Sequence, residues 1–104
     1  MITERLTFRA KYGQGDALVQ LMKDSMQLMP MPAGAQGARL YTDRTGPMFT
    51  VVVEFDHADL QSYASSGMAE GADYATKEFQ DWFSKMVAVT EVGERQLLNM
   101  EKLA

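Results

Sequence analysis

The sequence contains no cysteine. This absence excludes disulfides, thiol nucleophiles and metal sites built on thiolates. Histidine is nearly as scarce, because His57 is the only one, so a metal would have to rely on carboxylates and we expect no metal site. No Gly-rich segment has the lysine and the spacing that a phosphate-binding loop requires. We therefore expect no metal and no bound cofactor.

Long apolar runs and clusters of positive charge are also missing. No apolar stretch approaches the roughly 20 residues that span a bilayer, and no secretory signal pattern is present. The formal net charge is -4 and the ten basic residues are scattered, whereas a nucleic-acid surface needs clustered Lys and Arg. These absences predict a cytoplasmic protein that binds neither membranes nor nucleic acid. We expect one domain over residues 1–104, because a chain of this length buries a single core.

The first half of the chain passes from an alternating apolar pattern to a helical one. Residues 2–10 alternate as a strand does, with Glu4 the one charge on the apolar side. A Gly-rich turn and the expected cap Asp16 lead into a helix whose apolar stripe runs from Leu18 to Met29. Proline and glycine predict a loop over residues 30–37.

The same change, from an alternating to a helical spacing of apolar residues, occurs again in the second half. Residues 39–43 predict a short polar edge strand, and residues 44–47 predict the turn of a hairpin. Residues 48–55 are β-branched and aromatic, which favours a central strand. A second helix is expected to open at His57 under a cap beginning at Asp56, to break around residues 67–71, and to end near residue 87.

A weakly patterned last strand over residues 90–100 completes a β-α-β-β-α-β order. This order predicts an α+β, ferredoxin-like fold with a four-stranded antiparallel sheet and both helices on one face. The other face is untypical of a solvated surface, because it carries Met48, Val52 and uncharged polar residues. A second copy is the expected cover, so the sequence predicts a homodimer with Arg5, Arg9 and Glu54 near its seam.

Five side chains are candidates for binding a small hydrophobic or aromatic ligand: His57, Tyr63, Phe79, Trp82 and Phe83. Imidazole titrates near neutral pH, so His57 is either a proton shuttle at the mouth of a pocket or an exposed residue of a first helical turn. The hydroxyl of Tyr63 could orient a phenolic substrate. The aromatic residues of the second helix either stack on a planar ligand or fill the core, as stripes at helical spacing do.

The order of elements resembles the dimeric α+β barrel superfamily over nearly the whole chain. The features that carry the resemblance are the turn of residues 11–16 between strand and helix, the hairpin, the aspartate-capped helix interrupted before Tyr74, and the aromatic run of residues 79–83. Within the superfamily, the chain is similar to the antibiotic-biosynthesis monooxygenases and to NIPSNAP-like proteins. The resemblance implies two sheets meeting face to face and a small-molecule pocket in each subunit between helices and sheet.

The functions that the resemblance implies include cofactor-free oxygenation, haem degradation, lactone isomerisation and effector sensing. Haem-degrading members bind iron through a histidine within a helix, and oxygenase members combine an Asn, a Trp and a His or Tyr in the pocket. His57 stands at the start of the expected helix and not within it, and the only asparagine is Asn99, in the last strand. We therefore assign no catalytic residue from the resemblance. Three hypotheses stay open: a cofactor-independent monooxygenase-like or isomerase-like enzyme, a non-catalytic binding module, and a structural dimerisation module.

Overall fold

The structure, a computed structural model, describes residues 1–28, 35–65 and 76–103. Its elements, in chain order, are β1 (Ile2–Ala10), α1 (Gly15–Leu28), β2 (Ala35–Thr42), β3 (Thr50–His57), α2 (Leu60–Ala64), α3 (Lys77–Val89) and β4 (Thr90–Asn99). The four strands form one antiparallel sheet in the order β2-β3-β1-β4. The predicted α+β, ferredoxin-like fold class is therefore confirmed.

The core lies between the sheet and helix α1. The pleat sends alternate side chains of each strand to opposite faces, so Val51, Val53 and Phe55 of β3 point to the helices together. They pack with Leu18 and Met22, which lie one helical turn apart on α1 and are 0% and 6% exposed. The predicted apolar stripe of α1 is confirmed for these two residues, whereas Met29 lies outside the described residues.

The entry into α1 differs from the predicted cap. Asp16 does not precede the helix but lies in its first turn, where a carboxylate interacts favourably with the helix dipole. The helix begins at Gly15, which packs beneath the ring of Phe49. A Cβ at this glycine would lie 2.8 Å from Cδ1 of that ring. A side chain at position 15 would therefore push Phe49 away from the start of the helix.

The hairpin of β2 and β3 is shifted from its predicted limits. β2 begins at Ala35, inside the predicted loop, because residues 35 and 37 pair with the end of β3 across a register irregularity. β3 begins at Thr50 instead of residue 48, since Phe49 has a positive φ of 64° that a strand does not accommodate. β3 also runs on to His57, because both neighbouring strands pair with its end. The predicted turn is confirmed, with Gly46 at a φ of 96°.

The second helical region begins later than predicted. Asp56 is not a cap but a strand residue, and the cap of α2 is Asp59, whose carboxylate accepts a hydrogen bond of 2.8 Å from the amide of Ser62. The expected break over residues 67–71 lies outside the described residues. Helix α3 is capped by Thr76, whose hydroxyl oxygen accepts from the amide of Phe79 at 3.1 Å. The described helices α1, α2 and α3 are each too short or too polar to cross a membrane.

Candidate ligand site

A buried carboxylate lies on the helix-facing side of the sheet. Glu4 of β1 is 1% exposed, although apolar side chains surround its position on this face. Its Oε2 accepts a hydrogen bond of 2.7 Å from the hydroxyl of Tyr63 on α2. Arg95 of β4 places its Nε 3.5 Å from the same oxygen. These two donors offset part of the cost of removing a carboxylate from water.

His57 lies on the same face of the sheet, at the end of β3. Its side chain is 1% exposed, and its ring stands edge-on to that of Tyr63, with centroids 5.3 Å apart. Among the described residues, its Nδ1 has no hydrogen-bond partner. Nearly all buried polar atoms in proteins have one, so this nitrogen marks an unusual place in the interior. The alternative that His57 is an exposed first-turn residue is wrong, because β3 extends through it.

We call Glu4, His57, Tyr63 and Arg95 the Glu4 cluster. Three different elements supply its buried or half-buried members: β1, β3 and α2. The predicted site residues Tyr63 and His57 come together in the structure. In the sequence Glu4 is evident only as a charge on an apolar face, and Arg95 is not among the predicted site residues. Arg95 could have been found from its position in β4. It lies two residues before Leu97, the partner of Glu4, and alternate residues of a strand share a face.

The other three predicted site residues form an aromatic group on α3. The Phe79 ring is stacked on Phe83 with centroids 5.9 Å apart, and it lies 5.7 Å from Trp82. Trp82 is half-buried against the core and donates its indole N–H to the carbonyl oxygen of Leu21 on α1 at 2.7 Å. Trp82 therefore joins the two long helices, while Phe83 is 48% exposed. A role of this group in ligand binding stays a prediction.

The outer face of the sheet carries a network of charges that includes the predicted seam residues Arg5 and Glu54. Arg39 of β2 donates to Glu54 at 3.0 Å and, through both terminal nitrogens, to Asp56 at 2.6 and 2.8 Å. Arg5 donates to Glu54 at 2.7 Å, and the hydroxyl of Thr3 donates to Asp56 at 2.8 Å. Arg5 and Glu54 thus pair within one chain across β1 and β3. The register Arg39↔Glu54 explains why the hairpin completes the network.

These hydrogen bonds shift the pKa values of the charged groups that they join. The bonds from Arg39 hold the pKa of Asp56 at about 2, against an ordinary value of 3.8, and outweigh the effect of burial. Burial acts to raise the pKa of Glu54, but hydrogen bonds from Arg5 and Arg39 hold it below its usual range. The same contacts raise the pKa of Arg39. Both carboxyl groups are therefore ionised at neutral pH.

Metal binding finds no support in the part of the chain that the structure describes. Residues 1–28, 35–65 and 76–103 contain no group of three or more His, Cys, Asp or Glu side chains that could hold an ion. The Glu4 cluster offers one imidazole and one carboxylate, and the carboxylate already accepts from Tyr63 and faces Arg95. Its chemistry is that of hydrogen bonding and proton transfer.

The geometry agrees with the class of protein that the sequence resembles. The chain has a ferredoxin-like fold, and the likeness to NIPSNAP-like and monooxygenase-like proteins is confirmed for the fold. No protein-family model matches the chain, and no curated protein matches it.

Three solved structures illustrate this likeness in fold. An uncharacterised NIPSNAP domain protein from Burkholderia xenovorans is similar, with a TM-score of 0.77 at 19% identity, covering 100% of this chain and 98% of that chain. A NIPSNAP family protein from Agrobacterium tumefaciens gives 0.76 at 17% identity, with 99% and 88% covered. SnoaB, a cofactor-independent oxygenase from Streptomyces nogalater, gives 0.65 at 13% identity, with 97% and 93% covered.

Proposed function

We propose that this protein is a homodimer that binds a small hydrophobic or aromatic molecule between its helices and its sheet and acts on it without a cofactor. The observation that carries the proposal is the Glu4 cluster. A carboxylate and an imidazole, each 1% exposed, both contact Tyr63 on the face of the sheet that otherwise forms the core. Apolar residues of similar volume are often at least as stable at such buried positions, which favours a functional reason for the cluster.

The unpartnered Nδ1 of His57 is the atom best suited to act as a base. A neutral imidazole nitrogen can take a proton from an acidic O–H or C–H of a bound phenol or ketone. The hydroxyl of Tyr63, fixed by Glu4 at 2.7 Å, supplies a second polar group next to the His57 ring. Arg95 acts through Glu4 as a positioning residue, since it faces the carboxylate and not the imidazole.

Two reactions are open to a base in such a site. In an isomerase-like reaction, His57 removes a proton from one carbon and returns it to another. In a monooxygenase-like reaction, the deprotonated substrate itself supplies the electrons to O2. When a methylene becomes a carbonyl, one oxygen atom stays on carbon and the other leaves as water with the two hydrogens. The electrons therefore balance without a cofactor, and SnoaB, whose fold is similar, is a cofactor-independent oxygenase.

Binding and turnover can be tested in sequence. We expect hydroxylated aromatic compounds from a screen to raise the melting temperature, because ligands that bind only the native state stabilise it. With a compound that binds, oxygen consumption or isomer formation should fall about 10²- to 10⁴-fold in His57→Ala and His57→Phe. The phenylalanine variant keeps the volume filled. Tyr12→Phe, which alters an 81% exposed tyrosine, is the control and should retain native turnover.

The outcomes separate the three functional hypotheses. Binding without turnover in the native protein would favour a binding or sensing module. Native turnover in both His57 variants would contradict the proposed base. A panel that yields no stabilising compound would favour the structural dimerisation module.

The homodimer is supported by the outer face of the sheet. Tyr41 and Val92 on this face are 48% and 50% exposed. A shallow concavity of 440 Å³ lies among Arg5, Thr7, Tyr41, Val52, Glu54 and Gln96. A second copy would cover these side chains and seat the charge network at the seam.

We expect the native protein to have twice the mass of one chain in solution at micromolar concentration, measured by light scattering after size exclusion. Val52→Glu should shift the mass to that of one chain, because it adds an unpaired charge at the centre of the outer face. Val87→Glu introduces the same charge on α3, where Val87 is 55% exposed, and should leave the dimer intact. A native mass equal to one chain, or dissociation in both variants, would refute this interface.

A further inference from the structure

We propose that the chain has a second small-molecule site, which takes a carboxylic acid with a small apolar body, such as a medium-chain fatty acid. The site is a cavity of 290 Å³ between α1 and the hairpin of β2 and β3, lined by Met22, Lys23, Met26, Leu40 and Val53. Its volume lies near the lower end of the range for ligand pockets, about 300 Å³. An occupant must therefore be small.

The walls of this cavity are apolar and adaptable. Met22 and Val53 are 6% and 4% exposed and form its floor, and Leu40, the cross-strand partner of Val53, flanks them. Met26 is 38% exposed and lies at the rim. Methionine side chains are flexible and polarisable, so they adjust to apolar groups of different shape. The cavity thus favours an alkyl chain or a single aromatic ring.

Lys23 makes the site selective for an anion. Among the lining residues that the structure describes, it is the only charged one. Within the part of the chain that the structure describes, its ammonium group has no carboxylate within 4.0 Å, and the adjacent Asp24 accepts a hydrogen bond from Gln20 at 2.9 Å. A carboxylate at the rim would gain this ammonium while its apolar body enters the cavity. The combination matches the two parts of a fatty acid.

The site differs chemically from the Glu4 cluster. The buried carboxylate of Glu4 opposes a second anion beside it, whereas the cavity on α1 presents a cation. Loss of one site therefore need not affect the other, and each can be tested by its own variants.

The test is a titration of the native protein with octanoate and with octanol, followed by the fluorescence of Trp82. This residue is the only tryptophan, and its indole N–H donates to Leu21, the neighbour of Met22. We expect saturable binding of octanoate. Lys23→Gln should weaken octanoate about two- to fivefold, as for loss of an exposed ion pair, and Lys23→Glu should weaken it further. Neither change should alter the affinity for octanol.

Two controls make the result decisive. Lys85→Gln removes an exposed lysine of α3 and should leave octanoate binding unchanged, and so should His57→Phe. Equal octanoate affinity in the native protein and both Lys23 variants would overturn the proposal, as would no binding at millimolar octanoate. Loss of binding in His57→Phe alone would assign octanoate to the Glu4 cluster and overturn it too.

Discussion

The Asp56→Asn variant is expected to unfold at pH 7 with a free energy about 2 kcal/mol below that of the native protein. Arg39 holds the pKa of Asp56 at about 2, whereas the ordinary value is 3.8. Each unit of difference corresponds to about 1.4 kcal/mol, and the side chain of Asp56 is only 12% exposed, so solvent screens little of it. An asparagine cannot form the ionic part of the contact with Arg39.

The lowered pKa of Asp56 also predicts how stability changes with pH. The folded pKa is depressed, so the contribution of Asp56 is fully present above pH 3.8 and is lost as pH falls toward about 2. Urea unfolding between pH 7 and pH 2 should show a loss of stability in the native protein that is smaller in Asp56→Asn. Asp81→Asn, at a 61% exposed surface pair, is the control and should follow the native curve. Parallel curves for native protein and Asp56→Asn would contradict the assignment.

The second large effect concerns the Glu4 cluster, where substitution is expected to raise the free energy of unfolding instead of lowering it. The double variant Glu4→Met with Tyr63→Phe is expected to raise the free energy of unfolding by about 1 to 3 kcal/mol. It replaces a carboxylate that is 1% exposed, and the hydroxyl that donates to it, by apolar groups of similar size. Such replacements of buried polar networks are often stabilising, because desolvation of the charge is no longer opposed to folding. The same variant should lose the ligand-induced rise in melting temperature.

The single variants should behave differently from the pair. Tyr63→Phe alone removes a donor from a buried carboxylate and should cost about 1 to 3 kcal/mol. The difference between the double variant and the sum of the singles then measures the coupling of Glu4 and Tyr63. Chemical denaturation of all three variants, with Tyr12→Phe as the matched hydroxyl deletion, provides the measurement. A double variant less stable than the native protein would contradict this prediction and would show that the cluster stabilises the fold.

Sequence periodicity was sufficient for the fold but not for the limits of its elements. The pleat and the helical turn are local, so alternation in β1 and the stripe of Leu18 and Met22 predicted both structures correctly. β3 started late because one residue, Phe49, adopts a left-handed backbone that no propensity indicates for a phenylalanine. It ended late because pairing with β1 and β2 carries it through His57, and pairing partners are distant in sequence.

The candidate site was predictable only where a residue contradicted its own pattern. Glu4 stood out as a charge on an apolar face, and it proved to be buried. Its contacts with Tyr63 and Arg95 join positions 59 and 91 residues away, which no local pattern specifies. Asp56 was misassigned to a helix cap, because an aspartate before a helix is usually a cap and the competing partner Arg39 comes from another strand.

The last strand has a consequence for the behaviour of the protein at high concentration. β4 forms one edge of the sheet, so one row of its backbone N–H and C=O groups has no neighbouring strand in the described chain. Such a row invites strands of other molecules to add on and grow into fibrils. Glu91, Glu94 and Arg95 stand along this edge and are solvent-exposed. Their charges oppose the close stacking of identical strands, so this border of the molecule resists aggregation.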